Sequence, residues 1–408
     1  MNTSKLYYGF VLLLLALIGI PGQSQSQDTK SYELLPAPDL WYNDVDGIRA
    51  GLRLKGQVPG TFDDGPHRLD FGVWLGTWFP DYPVSYYVSF TEPIPSISDF
   101  GSEGNIQLIS SMRTGFHNHG VAFNKRWQTG FEERNYKELT INARFEDRFE
   151  NEYLLYPQLW SPGNLFLVGL NFDLRNENGL GRYSLITENA INVGGENPSF
   201  VTGTLDLQQH IPLGEYFDFR IRTFWGASTN NAPAQYLFSH SFKPAINWMN
   251  SGLTRAKGTI PTPWMEEGIF QIAGGANLRG YLGQNFDVLN TGAAPLVNSI
   301  GAVNLEADYP NPLDRAIQKI PVLGGIMQLR SYLFFDSGTS LGIVNSGSGK
   351  LLSDAGLGFM LSINIPDYLG KDRGIKIRYD IPAWLSNPAG SNNFKYRSII
   401  GIGAVIDL

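Results

Sequence analysis

KYRSIIGIGAVIDL, residues 395–408, ends the chain with two faces that differ in kind. Tyr396, Ser398, Ile400, Ile402, Ala404, Ile406 and Leu408 share one parity, and Lys395, Arg397, Gly401, Gly403 and Asp407 share the other. Successive side chains of a strand point to opposite faces, so this is a strand with one apolar face. The two segments before it repeat the arrangement. Ile375, Ile377, Tyr379 and Ile381 oppose Lys376, Arg378 and Asp380, while Ala355, Leu357, Phe359, Leu361, Ile363 and Ile365 oppose Asp354, Gly356, Gly358, Ser362 and Asn364. The same alternation runs through 41–55, 69–79, 84–92, 136–149, 164–175, 200–210, 217–227, 301–309 and 327–337. The second face is charged: Arg49, Arg53 and Lys55 in one strand, Glu138, Arg144, Glu146 and Arg148 in another, Asp218, Arg220 and Arg222 in a third.

Composition narrows the class. The chain has 408 residues, 13% aromatic and 17% charged residues, 46 glycines, no cysteine and a net charge of −7. The aromatic load excludes a disordered chain, the acidic balance argues against nucleic acid as a partner, and the lack of cysteine excludes disulfides and thiolate metal sites. Soluble globular proteins carry about 25% charged residues, so the shortfall here suits a chain that does not face water everywhere. At the N-terminus Lys5 precedes the apolar run Gly9 to Ile20, followed by polar GQSQSQ at 22–27. A spanning helix needs about 20 residues, so 1–27 reads as a secretory signal peptide cleaved near Gly22 to Gln27. Without a cysteine for a lipid anchor, the exported chain is periplasmic, secreted or embedded in an outer membrane.

A soluble β-sandwich shares this alternation and differs only in which face is wet. The export signal, the number of strands and the charged, glycine-rich second face favour an all-β fold, a transmembrane antiparallel β-barrel with the charges turned into the lumen. Fifteen strands are evident, and the weaker segment Asn151 to Trp160 makes sixteen, an even number as such barrels usually have. The barrel then spans 41–408, after a short segment 28–40. With both termini in the periplasm and 41–55 running outward, the turns at 80–83, 117–120, near Glu150, 176–181 and 212–215 fall inside. The longer segments 56–68, 93–105, 228–300, 338–352 and 382–394 fall outside. Trp74, Trp78, Tyr86, Tyr87, Trp160 and Trp225 read as aromatic anchors at the two interfaces.

The connection between 217–227 and 301–309 far exceeds an ordinary loop. It contains GGANLRGY at 274–281, and five strands follow it. VNLEADYP at 303–310 and SYLFFDSG at 331–338 come next, then the three C-terminal strands. This series resembles the C-terminal half of the BamA, TamA and two-partner-secretion transporter superfamily, the bacterial surface antigen family. There the arginine motif sits on a loop that folds back into the barrel, and an F-x-D-x-G strand follows. Parity adds a check from the residues themselves. Glu306 and Asp308 share a face with Asn304, and Asp336 shares a face with Gln328 and Arg330, so these acids point into the lumen. The expectation is a buried latch in which Arg279 enters the barrel and pairs with Asp336, with Glu306 nearby. Gly274, Gly275 and Gly280 would allow tight turns beside it, and Tyr281 completes the motif.

The resemblance covers 270–408, and two departures stand beside it. The segment 28–40 is too short for the periplasmic POTRA modules that precede such barrels, and the chain ends in Leu408 where a terminal aromatic is usual. The resemblance implies a subunit in protein insertion or transport across the outer membrane, with outer-membrane lipid around it, a polypeptide client and a separate periplasmic or surface protein as partners. The alternative is a passive channel or structural barrel. No catalytic motif is present, so neither an enzyme nor a cofactor is expected, and a barrel-embedded hydrolase would need an acid/histidine or serine/histidine pair that the sequence does not display. His117 and His119 read as turn polarity in preference to a metal site, since a third ligand is missing.

Overall fold

The computed structural model describes residues 32–403 apart from 44, 58–67, 79–82, 130–133, 215–216, 251–252, 283–295, 342–349 and 367–371; the signal peptide, most of the turn at 80–83 and the last five residues lie outside the described residues. Seventeen strands form one sheet: β1 (Glu33–Asn43), β2 (Gly47–Gln57), β3 (Arg68–Gly76), β4 (Val84–Pro93), β5 (Ser102–Arg113), β6 (Phe116–Gln128), β7 (Tyr136–Arg148), β8 (Gly163–Asn178) and β9 (Gly181–Gly195) make its first half. The second half is β10 (Val201–Leu213), β11 (Phe217–Ser228), β12 (Phe270–Ile272), β13 (Ser299–Asp308), β14 (Met327–Ser340), β15 (Leu352–Pro366), β16 (Asp372–Leu385) and β17 (Ile399–Ile402). Each strand pairs antiparallel with the next, except that β11 pairs directly with β13 and the short β12 stands apart. Sixteen strands thus make the wall, and β12 belongs to the long connection between β11 and β13.

Burial shows which face is wet. In β8, Phe166, Val168 and Leu170 are 48%, 42% and 49% exposed, whereas Leu165 and Leu167 are at 2% and 1%. Leu52, Ile106, Val121, Ile141, Ile191, Leu207, Val303, Leu333, Phe335 and Ile377 continue the exposed apolar face around the sheet. Arg222, Asn304, Glu306, Asp336, Arg378 and Asp380 are buried on the other. Apolar side chains outside and charges within reverse a soluble sandwich, and an apolar surface of this extent is that of a transmembrane β-barrel. No helix among the described residues is long and apolar enough to cross a membrane.

Two strand assignments change, and they cancel in the count. The wall begins at Glu33, inside the segment read as preceding it, because Pro36 and Pro38 disguise a strand. Proline cannot donate to a ladder and is tolerated at a sheet edge. Conversely, Asn151 to Trp160 is no strand. It is a turn-rich segment with a short 3-10 helix (Pro157–Leu159), and Tyr156 takes a left-handed φ of 49°. Leu154, Leu155 and Tyr156 are all buried in succession, which a strand with one wet face cannot achieve.

The sidedness shifts accordingly. With one more strand at the start, the strand ends that flank 58–67 and the connection 94–101 lie at the end of the wall where β1 begins, and the strand ends that flank 77–83 lie at the other. The turn read at 117–120 is instead Thr114–Gly115, with φ of 50° and 71°, and HNHG lies within β6. Once 151–160 is removed the parity is restored. The turn at 179–180 and the strand ends that flank 214–216 therefore lie at the end where β1 begins, and the C-terminal ends of β11, β14 and β16, with the loop 386–398, lie opposite. Among the described residues β17 covers only Ile399–Ile402, so Lys395 to Ser398 belong to the loop before it.

Trp78 and Trp225 are exposed on the outer surface, but Trp74 and Trp160 turn inward. The Trp74 indole donates to Asp39 at 2.8 Å, and Trp160 packs against Trp248. Segment 151–160 and the long connection form an apolar plug in the lumen, with Leu154, Tyr156 and Trp160 against Phe242, Trp248 and Phe270. Val168→Arg, on the exposed face of β8, is expected to lower stability in a bilayer by about 2–4 kcal/mol if it lies near the midplane, measured by denaturant titration in vesicles.

Candidate functional site

Inward positions of neighbouring strands line up by register. Asn304 of β13 pairs across to Asp336 of β14, which pairs with Asp354 of β15, and Arg222 of β11 stands beside Asn304. Arg378 and Asp380 follow on β16. Alternation alone therefore builds a patch of charge on one side of the lumen.

The described part of the connection between β11 and β13 enters the lumen and presents Arg279 to this patch from a 3-10 turn (Arg279–Tyr281). Arg279 is wholly buried. Its Nε donates to Asp336 Oδ2 at 2.9 Å and its Nη2 to Asp336 Oδ1 at 3.2 Å, the two-pronged geometry that a guanidinium offers a carboxylate. Nη2 also lies 2.8 Å from Glu306 Oε1, and Nη1 lies 3.8 Å from Asp380. The Phe334 ring lies 4.1 Å from the guanidinium carbon.

The carboxylates are themselves held. Arg330 pairs with Glu306 and, at 2.6 Å, with Asp308. Asn304 donates to Asp336 at 3.0 Å and to the carbonyls of Ala276 and Asn277 at 3.2 Å, so one amide ties wall to loop. Arg222 donates to Asn304 at 2.8 Å and to the Gly275 carbonyl at 2.7 Å while pairing with Asp206. Tyr332 donates to Asp380 at 2.6 Å.

The glycines act for different reasons. Gly274 and Gly275 take φ of 122° and 63°, and a side chain at Gly275 would meet the Phe242 carbonyl at 2.7 Å. Gly280 is needed for space and not for a turn: a Cβ there would stand 2.9 Å from Asp354 Cβ and Leu385 Cδ1. Tyr281 beside it is buried, with its hydroxyl donating to the Ser353 carbonyl at 3.1 Å and accepting from the Asn387 amide at 3.1 Å. Burial pushes its phenol pKa up.

The structure thus brings Arg279, Asp336 and Glu306 into contact, with Gly274, Gly275, Gly280 and Tyr281 placing the loop. Sequence reasoning did not single out Gln271, whose side-chain oxygen accepts from Arg378 at 2.6 Å while its amide donates to the Ser241 carbonyl at 2.6 Å. Nor did it single out Asn304, Arg330, Arg378 and Asp380 as partners. Parity had placed these inside, but only the path of the loop shows what they meet. No group of three or more potential metal ligands occurs among the described residues; His119 Nδ1 lies 2.9 Å from Ser110 Oγ within the sheet.

No protein-family model matches the chain, and no curated protein matches it in sequence. Among solved structures it is similar to BamA from Haemophilus ducreyi lacking POTRA domains 1–3, at 11% identity over 92% of this chain and 70% of that one, with a TM-score of 0.47. CdiB from Acinetobacter baumannii is similar at 12% identity over 92% of this chain and 59% of that one, with a TM-score of 0.38. CdiB from Escherichia coli is similar at 10% identity over 92% and 63%, with a TM-score of 0.43.

Arg279→Ala or Asp336→Asn strands a buried partner and is expected to cost about 3–5 kcal/mol, seen as a lower temperature of heat-modifiable migration and protease cleavage within the long loop. Arg279→Lys should not restore wild-type behaviour, because an ammonium lacks the fork. A second expectation concerns pH. His240, whose carbonyl accepts from the Leu278 amide at 2.7 Å, has its imidazole pushed down to about 4 by burial. A released loop would take up that proton near pH 6.5, so docking is fully favoured above that value and weakens as the pH falls toward 4. Protease sensitivity of the loop should rise in this window, and His240→Gln should flatten the rise.

Proposed function

We propose that the chain is an outer-membrane barrel that inserts polypeptides into that membrane or passes them across it, acting through a weak seam between its first and last strands. The N-terminal apolar run supports export, and the exposed apolar wall supports residence among lipids. The apposition of the GGANLRGY arginine and the SYLFFDSG aspartate inside the lumen agrees with the resemblance on which this reading draws.

The observation that carries the proposal lies at the seam. β17 pairs with β16 on one edge, and its other edge is taken by β12, in parallel, with Phe270, Gln271 and Ile272 opposite Ile400, Gly401 and Ile402. The Ile400 amide donates to the Ile269 carbonyl at 2.8 Å, and the Ala273 amide to the Ile402 carbonyl at 3.0 Å. Among the described residues β1 and β17 share no ladder. β1 is itself poorly equipped for one. Pro36 and Pro38, two residues apart, send their nitrogens to the same edge, and the continuous β1–β2 ladder makes that the edge facing away from β2. A sheet edge missing two donors on one side, and occupied by a removable three-residue strand on the other, can admit a client strand by backbone pairing.

Strand exchange of this kind needs neither cofactor nor catalytic residue. Client delivery falls to a separate periplasmic or surface subunit. A photo-crosslinking residue at Ile402 in cells is expected to give, besides the adduct with the chain's own loop, an adduct with a second polypeptide destined for the outer membrane or beyond it. Intramolecular adducts alone, from a barrel recovered without partners in mild detergent and showing steady conductance, would overturn the reading in favour of a channel.

A further inference from the structure

Away from the latch, the lumen contains a cavity of about 440 Å³ between the wall strands β4–β7 and residues 246–250 and Arg255 of the long connection. Arg113, Arg144, Glu146 and Arg255 line it. Glu146 is already engaged, since Arg144 donates to it at 2.7 Å and the Tyr236 hydroxyl donates to its other oxygen. Arg113 and Arg255 have no carboxylate partner among the described residues. The Arg113 guanidinium lies 4.5 Å from the centre of the Tyr87 ring, its Nε has no partner, and it makes no ion pair among the described residues. Arg255 is only 6% exposed, and its Nε donates to the Met249 carbonyl at 3.2 Å. Arg49 stands next to Arg113 on an adjoining recess, 4.5 Å above Trp74, also without an ion pair. Burial pushes the Arg255 pKa well below its usual value, and Arg113 and Arg49 push it further, with Asp46 the one carboxylate opposing them.

Cations that are buried, as Arg255 is, or half-buried, as Arg113 and Arg49 are, with no carboxylate in pairing distance are costly, and a pre-formed cavity beside them gives the missing charge a place. We propose that this cavity binds a phosphate group carried by a small molecule, with Arg113 and Arg255 holding its oxygens and Arg49 adding to the attraction. A carboxylate is satisfied by one guanidinium fork, whereas a phosphate has more oxygens and up to two charges to share between cations arriving from separate elements. The volume lies within the roughly 300–1,000 Å³ of small-molecule sites and exceeds what a bare phosphate fills. The rest of the lining, Tyr87 and Asn118 among it, offers both ring surface and amide groups to the remainder of the ligand. That remainder is either a soluble phosphate ester or a lipid headgroup.

The test uses the full exported chain, refolded in detergent and shown to be folded by heat-modifiable migration. Inorganic phosphate and glycerol 3-phosphate are titrated calorimetrically at constant ionic strength against chloride. Saturable binding is expected, tighter for the ester, and weakened about 10- to 100-fold in Arg113→Gln and in Arg255→Gln. Without phosphate, Arg255→Gln should unfold at the same or a higher temperature than wild type, since it removes an uncompensated charge. Arg182→Gln, in the hairpin at the opposite end of the barrel, should bind as wild type does. Repeating the titration in vesicles of phosphatidylglycerol and of phosphatidylcholine separates the sources: competition by the anionic lipid alone identifies a headgroup, and undiminished binding in both identifies a soluble ester. Absence of saturable binding in the folded wild type, or binding unchanged in both arginine variants, would overturn the proposal.

Discussion

A guanidinium taken out of water has to be met by carboxylates already held in place, and much of this molecule is arranged to meet that need. Arg279 stands on a loop that must enter a barrel, bend through left-handed glycines and press Gly280 against the wall before its fork reaches Asp336. The wall answers with acids from three strands, Glu306, Asp336 and Asp380, themselves restrained by Arg330, Asn304 and Tyr332. Such pairs contribute little net stability, because desolvation offsets much of the attraction. Their strength lies in specificity, since any displacement of the loop leaves several buried charges unmet at once.

The same loop carries β12 to the edge of β17. The latch and the seam are consequently parts of one element, tied to the wall repeatedly within nine residues, through Gln271 to Arg378, through the Gly275 carbonyl to Arg222, through the Ala276 and Asn277 carbonyls to Asn304, and through Arg279 to Asp336. Moving the arginine and uncovering the strand edge are coupled through the intervening turn, whose glycines and buried Asn277 keep it short and stiff.

Arginines on the two sides of the lumen live differently. On β11, β14 and β16, Arg222, Arg330 and Arg378 sit in a lattice of carboxylates, paired with Asp206, Asp308 and Asp380. Around β2, β5 and β7 three of them rest on aromatic faces instead, Arg49 on Trp74, Arg113 on Tyr87 and Arg148 on Trp160. A ring quadrupole offers part of what a carboxylate would, and leaves the cation able to take an anion from elsewhere.

Period-two alternation is a local property, and it determined the all-β class, the inward facing of Glu306, Asp336, Arg378 and Asp380, and the existence of a connection too long to be a turn. It failed where local chemistry conflicts with long-range pairing. Pro36 and Pro38 hide β1, which tolerates them only as an edge, and the apolar residues of 151–160 mimic a strand while packing on Phe242 and Trp248. Strand directions between those two places were inverted for this reason. Which face meets lipid, which arginines find acids and which find rings, and where β12 settles are contacts between residues far apart in the chain. Alternation says which way a side chain points, but only the path of the backbone through space decides what stands there to receive it.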